Sequence, residues 1–155
     1  MITIYTDGAA IGNPGPGGYA AILLFEKFKK EIVGGYRLTT NNRMELLAVI
    51  KGLEALKKFD VPITIFSDSK YVVDSISNNW YLNWFKNNFK GGKKNQDLWT
   101  LYLNIAQKFN QIKLVWVKGH SNNLFNNRCD LLATNFAKSK PTLIDEYYEE
   151  ENKKK

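Results

Sequence analysis

A short β-favouring run that ends on an aspartate occurs twice in this chain. The first run places Asp7 directly before Gly8, and the second places Asp68 directly after Ser67. If both runs are strands of one parallel sheet, their carboxylates lie at its carboxyl edge, where open α/β sheets hold their sites. Two close carboxylates repel each other unless a proton or a cation lies between them. One such aspartate more often caps a turn or helix, but the repetition favours a divalent-metal site.

The composition is that of one ordinary globular domain. The 155 residues are 44% hydrophobic and 24% charged, and a chain of this length can bury a sizeable core. No apolar stretch is long enough to span a membrane, and no signal peptide precedes Ile2. The single cysteine, Cys129, allows neither an internal disulfide nor a cysteine metal cluster. We therefore predict a cytoplasmic protein with no membrane partner.

Charge is distributed unevenly along the chain. The net charge is +7, but residues 142–155 carry five acids and three lysines, which leaves a basic body of net charge +9. A basic body favours polyanionic partners such as nucleic acid. We predict one domain over residues 1–141, followed by a charged, flexible tail over residues 142–155.

The order of the predicted elements indicates a mixed sheet. Three β-rich runs at Ile2–Thr6, Tyr19–Phe25 and Glu31–Leu38 follow one another without helices, which predicts an antiparallel meander. A helix from Arg43 to Phe59 then connects to a strand at Ile63–Ser67, and this long crossover fits a strand parallel to the first. Between the first two runs, residues 8–18 hold five glycines and two prolines, which predicts a loop without P-loop spacing.

The second half alternates helices with one more strand. We predict helices at Ser69–Ile76, Asp97–Phe109 and Asn127–Lys138, and a last strand at Ile112–Val117. The predicted fold class is therefore α/β, with a mixed five-stranded sheet in which a three-strand meander joins parallel strands, flanked by helices.

Residues 78–95, the aromatic-basic segment, combine large aromatic side chains with lysines. The aromatic spacing is helical, so these rings fit the buried face of an amphipathic helix. The lysines between them look like a basic projection.

Four acids stand where the predicted topology can bring them together: Asp7, Glu45, Asp68 and Asp130. We place Glu45 and Asp130 each in the first turn of a helix, where a carboxylate can also serve only the helix dipole. Carboxylate oxygens suit Mg²⁺ or Mn²⁺ better than zinc. The only histidine, His120, shortly precedes the last helix and is either structural or a proton-transfer group beside the acids.

Several separate motifs in one order resemble those of the bacterial-type ribonuclease HI family over nearly the whole chain. They are residues 5–8, 12–19, 40–46, 67–72, 95–99, 117–120 and 127–130. The resemblance implies a ribonuclease H-like fold and an endonuclease that cuts the RNA strand of RNA–DNA hybrids, leaving 5′-phosphate and 3′-hydroxyl ends. It also implies two Mg²⁺ ions, replaceable by Mn²⁺, and a monomer without an obligate protein partner.

The resemblance also assigns roles to residues. Asp7, Glu45, Asp68 and Asp130 match the metal-binding carboxylates, and His120 matches a histidine that assists proton transfer or product release. The positions that match substrate contacts are Asn13, Asn41 and Asn42 for the RNA strand, Thr40 and Asn95 for a DNA phosphate, and Lys70, where many relatives carry glutamine. The aromatic-basic segment resembles the substrate-binding projection of the family, and its candidate contacts are Trp80, Trp84, Lys86, Lys90, Lys93 and Lys94.

Two other functions are compatible with parts of the pattern. A DNA-processing nuclease or recombinase of similar fold would share the acids, but residues 41–42 and the lysines of the aromatic-basic segment argue against it. A module that binds hybrid without cutting would gain nothing from an anionic pocket facing phosphates.

Overall fold

The computed structural model describes residues 1–119 and 122–153, and within them five strands form one sheet. The strands lie in the order β3-β2-β1-β4-β5, with β1 to β3 antiparallel and β4 and β5 parallel to β1. Their bounds are β1 Ile2–Ala10, β2 Gly15–Phe25, β3 Phe28–Thr39, β4 Ile63–Ser67 and β5 Ile112–Trp116. The predicted fold class is confirmed.

Helices cover both faces of this sheet. They are α1 Asn41–Glu54, α2 Lys70–Ser77, α3 Trp80–Lys86, α4 Gln96–Ala106, α5 Leu124–Lys138 and α6 Glu146–Lys153. Alternate residues of β2 point to opposite faces, so Ala21 and Leu23 join the larger core with α1, while Ala20 and Ile22 pack with Cys129 and Ala133 of α5. Among the described residues, no helix is long and apolar enough to cross a membrane.

β1 continues past the point at which we predicted its end. Its antiparallel pairing with β2 extends to Ala10↔Gly17, so residues 8–10 and 15–18 are strand and the predicted loop shrinks to residues 11–14. Its parallel pairing with β4 stops at Tyr5↔Phe66. Asp7 is therefore interior to β1, yet it lies just beyond the parallel pairing and close to the end of β4. Asp7 and Asp68 therefore both lie at the carboxyl edge of the parallel strands, as we inferred from the sequence.

Both helices that carry candidate acids begin earlier than we predicted. Thr40 caps α1 by accepting a hydrogen bond from the backbone N–H of Arg43 at 3.2 Å, and Asn123 caps α5 in the same manner. Glu45 and Asp130 consequently lie in the second turns of their helices, and their placement in the first turns was wrong. At the other end, α1 stops at Glu54 instead of Phe59.

The aromatic-basic segment is helical only over α3, and its two tryptophans differ in burial. Trp84 is partly buried and packs against the larger core, with its ring centroid 5.6 Å from that of Trp99 and 6.2 Å from that of Tyr71. Trp80 is 46% exposed. Packing therefore accounts for Trp84, while Trp80 remains available at the surface.

Residues 142–153, which we predicted as a flexible tail, include a helix and make contacts with the rest of the chain. The side chain of Asp145 is buried at 4% exposure, and α6 follows it directly. The backbone N–H of Arg37 in β3 donates to the carbonyl of Leu143 at 2.8 Å. The domain boundary at residue 141 stays a prediction, but the segment beyond it packs against the sheet edge.

Candidate active site

Gly8 joins two of the candidate acids through its backbone. Its N–H donates to Oδ1 of Asp7 at 2.8 Å and to Oε1 of Glu45 at 2.7 Å. A Cβ at this position would lie 2.3 Å from the backbone nitrogen of Glu45. Because backbone cannot yield to such a contact, a glycine is needed where β1 crosses α1.

Three of the four acids form a compact group. Asp7, Glu45 and Asp68 each offer a carboxylate oxygen, and these oxygens lie within 4.8 Å of one another. Asp7 and Glu45 are buried, whereas Asp68 is more open to solvent. Asp130 lines the same small cleft together with Asp7 and Asp68, but it lies outside the compact group. The structure thus brings three of the four predicted acids into one compact group and places the fourth, Asp130, in the same cleft outside that group.

The protonation of this acid group is perturbed. Burial is the largest cause that raises the pKa of Asp7, and the charge of Asp68 adds to it. Burial, a hydrogen bond to Asp7 and the charges of Asp7 and Asp68 raise the pKa of Glu45 well above its ordinary value. Oε2 of Glu45 is buried and meets no fixed donor among the described residues. It therefore needs a proton shared with Asp7 or a cation, and a hard divalent cation fits this oxygen-only donor set.

We expect the metal-free protein to lose stability as pH rises from about 4 to about 6. The pKa of Asp7 rises from 3.8 to about 6 on folding, so the folded protein holds a proton that the unfolded chain has released. This contribution, about 1–3 kcal/mol, is present below the lower value and is lost above the higher one. Urea denaturation in EDTA at several pH values should show it. Asp7→Asn should flatten the trend while the exposed Asp60→Asn should not, and equal slopes for the two variants would contradict the assignment.

An aromatic stack and a cysteine hold α5 against β1. The ring of Tyr5 stacks on Phe66 at 5.0 Å and on Phe125 at 5.2 Å between centroids. The Cys129 thiol donates to the carbonyl of Tyr5 at 3.3 Å, and burial raises the pKa of that thiol. The next residue in α5, Asp130, is thereby brought to the cleft. Sequence reasoning missed this positioning role for Cys129.

Lys70 is the first residue of α2 and follows Asp68 by two positions. Its Nζ is 4.6 Å from the ring centroid of Trp116, and the indole N–H of Trp116 donates to the carbonyl of Asp68 at 3.1 Å. Trp116 is 44% exposed, so it forms a partly open surface at the end of β5. Trp116 therefore connects Lys70 to the backbone of Asp68, and the predicted contact of Lys70 with substrate stays a prediction.

A buried ion-pair network connects α1, α4 and the C-terminal segment. The guanidinium of Arg43, only 2% exposed, makes hydrogen bonds of 2.6 and 2.8 Å to Asp97 and of 2.7 and 2.9 Å to Asp145. Asp145 also accepts from the hydroxyl of Thr39 at 2.7 Å. Although burial alone would lower the pKa of Arg43, the hydrogen bonds to the two acids raise it overall. Sequence reasoning did not identify this network, because its members are far apart in the chain.

The network extends to the predicted phosphate contact. Arg43 donates to Oδ1 of Asn95 at 3.3 Å, and the Asn95 amide donates to the hydroxyl of Tyr71 at 3.0 Å. Asn95 and Thr40 line one groove, so the structure brings these two predicted residues together. Tyr71, which also accepts from the indole of Trp99 at 2.9 Å, orients Asn95 from the core side.

The three asparagines predicted to contact RNA line the same groove. Oδ1 of Asn13 accepts from the backbone N–H of Asn41 at 3.0 Å, and Oδ1 of Asn41 accepts from the backbone N–H of Ala10. Because both carbonyl oxygens face the backbone, the amide N–H groups of Asn13 and Asn41 point away from it. Asn42 is exposed at the start of α1.

All four candidate lysines of the aromatic-basic segment are exposed. Lys86 ends α3, Lys90 follows in a turn, and Lys93 and Lys94 lie in the irregular stretch before α4. Lys93 Nζ lies 5.5 Å from the ring centroid of Trp84, on the side of the segment that borders the groove with Thr40. His120 lies outside the described residues.

The chain's similarity to known proteins agrees with this geometry. The RNase H family model matches residues 1–138. The chain is 52% identical to a ribonuclease H of Trichodesmium erythraeum over 136 residues, 85% of each protein. It is 50% identical over 137 residues to a ribonuclease H of Syntrophus aciditrophicus, an alignment that spans 86% of this chain and 78% of the relative.

Solved structures give the same result. LC11-RNase H1, crystallised in complex with RNA/DNA hybrid, is 25% identical with a TM-score of 0.68 over 90% of this chain and 98% of its own. LC9-RNase H1, a type 1 RNase H with the type 2 active-site motif, is 25% identical with a TM-score of 0.73 over 96% of this chain and 79% of its own.

This chain is an α/β protein with a mixed five-stranded sheet and clustered acids at its carboxyl edge, and RNase H structures share its fold. The chain belongs to the RNase H family and is a ribonuclease H enzyme. The resemblance seen in the sequence motifs is confirmed.

Proposed function

We propose that this enzyme is a metal-dependent endonuclease that hydrolyses the RNA strand of RNA–DNA hybrids and leaves 5′-phosphate and 3′-hydroxyl ends. The observation that carries the proposal is the compact group of Asp7, Glu45 and Asp68, with Asp130 in the same cleft. The complex of the related LC11-RNase H1 with RNA/DNA hybrid supports the choice of substrate. Action as a monomer in the cytoplasm belongs to the same proposal.

Asp7, Glu45, Asp68 and Asp130 would hold two Mg²⁺ ions, with Mn²⁺ as a substitute. When bound, such ions supply Lewis-acid stabilisation of phosphoryl oxygens and lower the pKa of a coordinated water. The protein contributes the positions of the carboxylates, which the backbone of Gly8 fixes for Asp7 and Glu45. The more open Asp68 and Asp130 border the side from which water and substrate enter, and His120 is proposed to assist proton transfer or product release.

RNA is proposed to be distinguished from DNA through its 2′-hydroxyls. The outward-facing amides of Asn13 and Asn41 can donate to such hydroxyls, and Asn42 lies exposed beside them. Thr40 and Asn95 are proposed to hold a phosphate of the DNA strand, which fixes position without selecting sequence. We therefore expect cleavage with little sequence preference.

Incubation with labelled nucleic acids tests this proposal directly. RNA–DNA hybrid, duplex RNA and duplex DNA should each be supplied with Mg²⁺, Mn²⁺ or EDTA, and the product ends should be identified by enzymatic labelling. We expect RNA-strand fragments from hybrid alone, and only with a metal ion. Cleavage of duplex DNA would favour a DNA-processing nuclease instead, and binding of hybrid without cleavage would indicate a binding module.

We expect the lysines of the aromatic-basic segment to act on binding and to leave the chemical step almost unchanged. Each lysine that meets a phosphate releases condensed counterions, so its loss reduces the slope of log affinity against log salt by about one. A fourfold lysine-to-glutamine variant should raise KM sharply at moderate salt, flatten its salt dependence and leave kcat within about threefold. The positions changed are Lys86, Lys90, Lys93 and Lys94.

A matched variant controls for net charge alone. In this variant, glutamine replaces four other exposed lysines: Lys27, Lys57, Lys58 and Lys108. These lysines precede the amino ends of strands or follow helices, so they lie far from the carboxyl edge of the sheet. This control should retain most of the wild-type salt slope. If the two variants had the same slope, the aromatic-basic segment would not be part of the binding surface.

A further inference from the structure

The C-terminal helix α6 is fastened beside the predicted phosphate contact. Asp145, the residue before α6, is held by Arg43 and Thr39, and the guanidinium carbon of Arg43 lies 5.4 Å from the ring centroid of Tyr147 in α6. Glu149 of α6 pairs with Arg37 of β3 at 2.9 and 3.0 Å. These contacts fix the position of α6 relative to α1 and β3.

A groove of about 640 Å³, the C-terminal groove, separates α6 from the residues that begin α1 and α4. Thr40, Asn95, Lys93 and Lys94 line it, together with Asn13, Asn41 and Asn42. The C-terminal helix lines it through residues one helical turn apart: Tyr147, Tyr148, Glu151 and Asn152. The predicted phosphate contact and the C-terminal helix thus line one groove.

The side of α6 that faces the groove differs in charge from its other side. Tyr148 and Asn152 line this groove, whereas Glu146, Glu149 and Glu150 line the far side of the helix. Asn152 donates one amide N–H to the carbonyl of Tyr148 at 2.8 Å and carries a second N–H. Three of the four acids of α6 are therefore turned away from the groove. Glu151 lines both sides of the helix, and beside it α6 presents the uncharged hydrogen-bonding groups of Tyr148 and Asn152 to a groove that two lysines also line.

We infer that α6 extends the predicted contact with the DNA strand of the hybrid along the C-terminal groove, and that Tyr148 and Asn152 contact the sugar–phosphate backbone of that strand. The inference rests on the proposed function. Helix α1 contributes Arg43 to the groove and, two residues later, Glu45 to the acid group. A duplex whose RNA strand lies at the acids presents its other strand across the minor groove. Lysines, tyrosine hydroxyls and asparagine amides are the groups that proteins use to position a phosphate backbone.

The test measures steady-state cleavage by a Tyr148→Ala/Asn152→Ala double variant, in which Asp145 is retained. We expect KM for full-length hybrid to rise about tenfold, as for the loss of one or two hydrogen-bonding contacts, with kcat within about twofold. Glu150→Ala, on the far side of the same helix, should keep the wild-type KM. The near-isosteric variants Tyr148→Phe and Asn152→Asp should raise KM without lowering the melting temperature, which separates contact from folding.

A series of hybrids with a progressively shortened DNA strand locates the contact. The KM of the wild type should rise when the DNA strand becomes too short to reach α6. On all strands shorter than that, the wild type and the double variant should have the same KM. An unchanged KM of the double variant on full-length hybrid, or a difference that persists on every shortened strand, would overturn the inference while leaving the proposed function intact. A wild-type protein that fails to cleave hybrid would refute both.

Discussion

Asp7→Asn and Asp68→Asn are each expected to reduce cleavage of hybrid by at least about a thousandfold at saturating Mg²⁺, because each removes a charged ligand from the acid group. The change leaves side-chain volume almost constant, so the fold should survive. For Asp7 the metal-free protein should even become more stable near neutral pH, since burial and neighbouring acids oppose ionisation of that carboxyl. Loss of activity together with a gain in stability is a combination that general damage to the fold does not produce.

Single-turnover cleavage and thermal unfolding in EDTA provide the two measurements. Asp60→Asn makes the same chemical change at an exposed position that precedes β4, at the end of that strand opposite to Asp68, and should alter neither. Isothermal titration with Mg²⁺ should show weakened binding in the Asp7 and Asp68 variants. Wild-type turnover in either of these variants would remove that residue from the metal site.

Asp145→Ala is expected to lower the free energy of unfolding by about 3 kcal/mol, because it leaves the buried guanidinium of Arg43 with only one of its two carboxylate partners. For a chain of this size, the melting temperature should fall by roughly 6–12 °C. Because Arg43 also contacts Asn95, we expect a higher KM for hybrid at temperatures where the variant remains folded. Thermal and urea unfolding measure the first effect, and steady-state kinetics the second.

Glu149→Ala is the matched control for this prediction. It removes an acid from the same C-terminal segment, but its partner Arg37 lies at the surface, where ion pairs contribute little to stability. The melting temperature of the control should therefore stay close to that of the wild type. Equal melting temperatures for Asp145→Ala and Glu149→Ala would show that residues 142–153 do not depend on the buried network.

Local chemistry was sufficient to predict the strands, the main helices and the acids. The alternation in β1 and β2, the capping residue Thr40 and the long crossover into β4 each act over a few residues or obey general rules of chain connection. The motifs around Asp7 and Asp68 identified the candidate site, because carboxylates that follow parallel strands meet at one edge.

The element boundaries and the relations between distant segments depended on the tertiary structure. β1 continues to Ala10 because β2 supplies hydrogen-bond partners, and propensity within one segment does not contain that information. Three acids lie close together, and Asp130 lies apart from them. The position of Asp130 depends on how α5 packs through Cys129 against Tyr5.

The C-terminal segment shows the same limit most clearly. Its composition of acids and lysines predicts a solvated tail, since each charge considered alone prefers water. Only the fold places Asp145 against Arg43, whose guanidinium is itself buried and requires carboxylate partners. The free energy of a buried ion pair belongs to two residues 102 positions apart, so it is decided by the packing of the whole chain and not by either stretch of sequence.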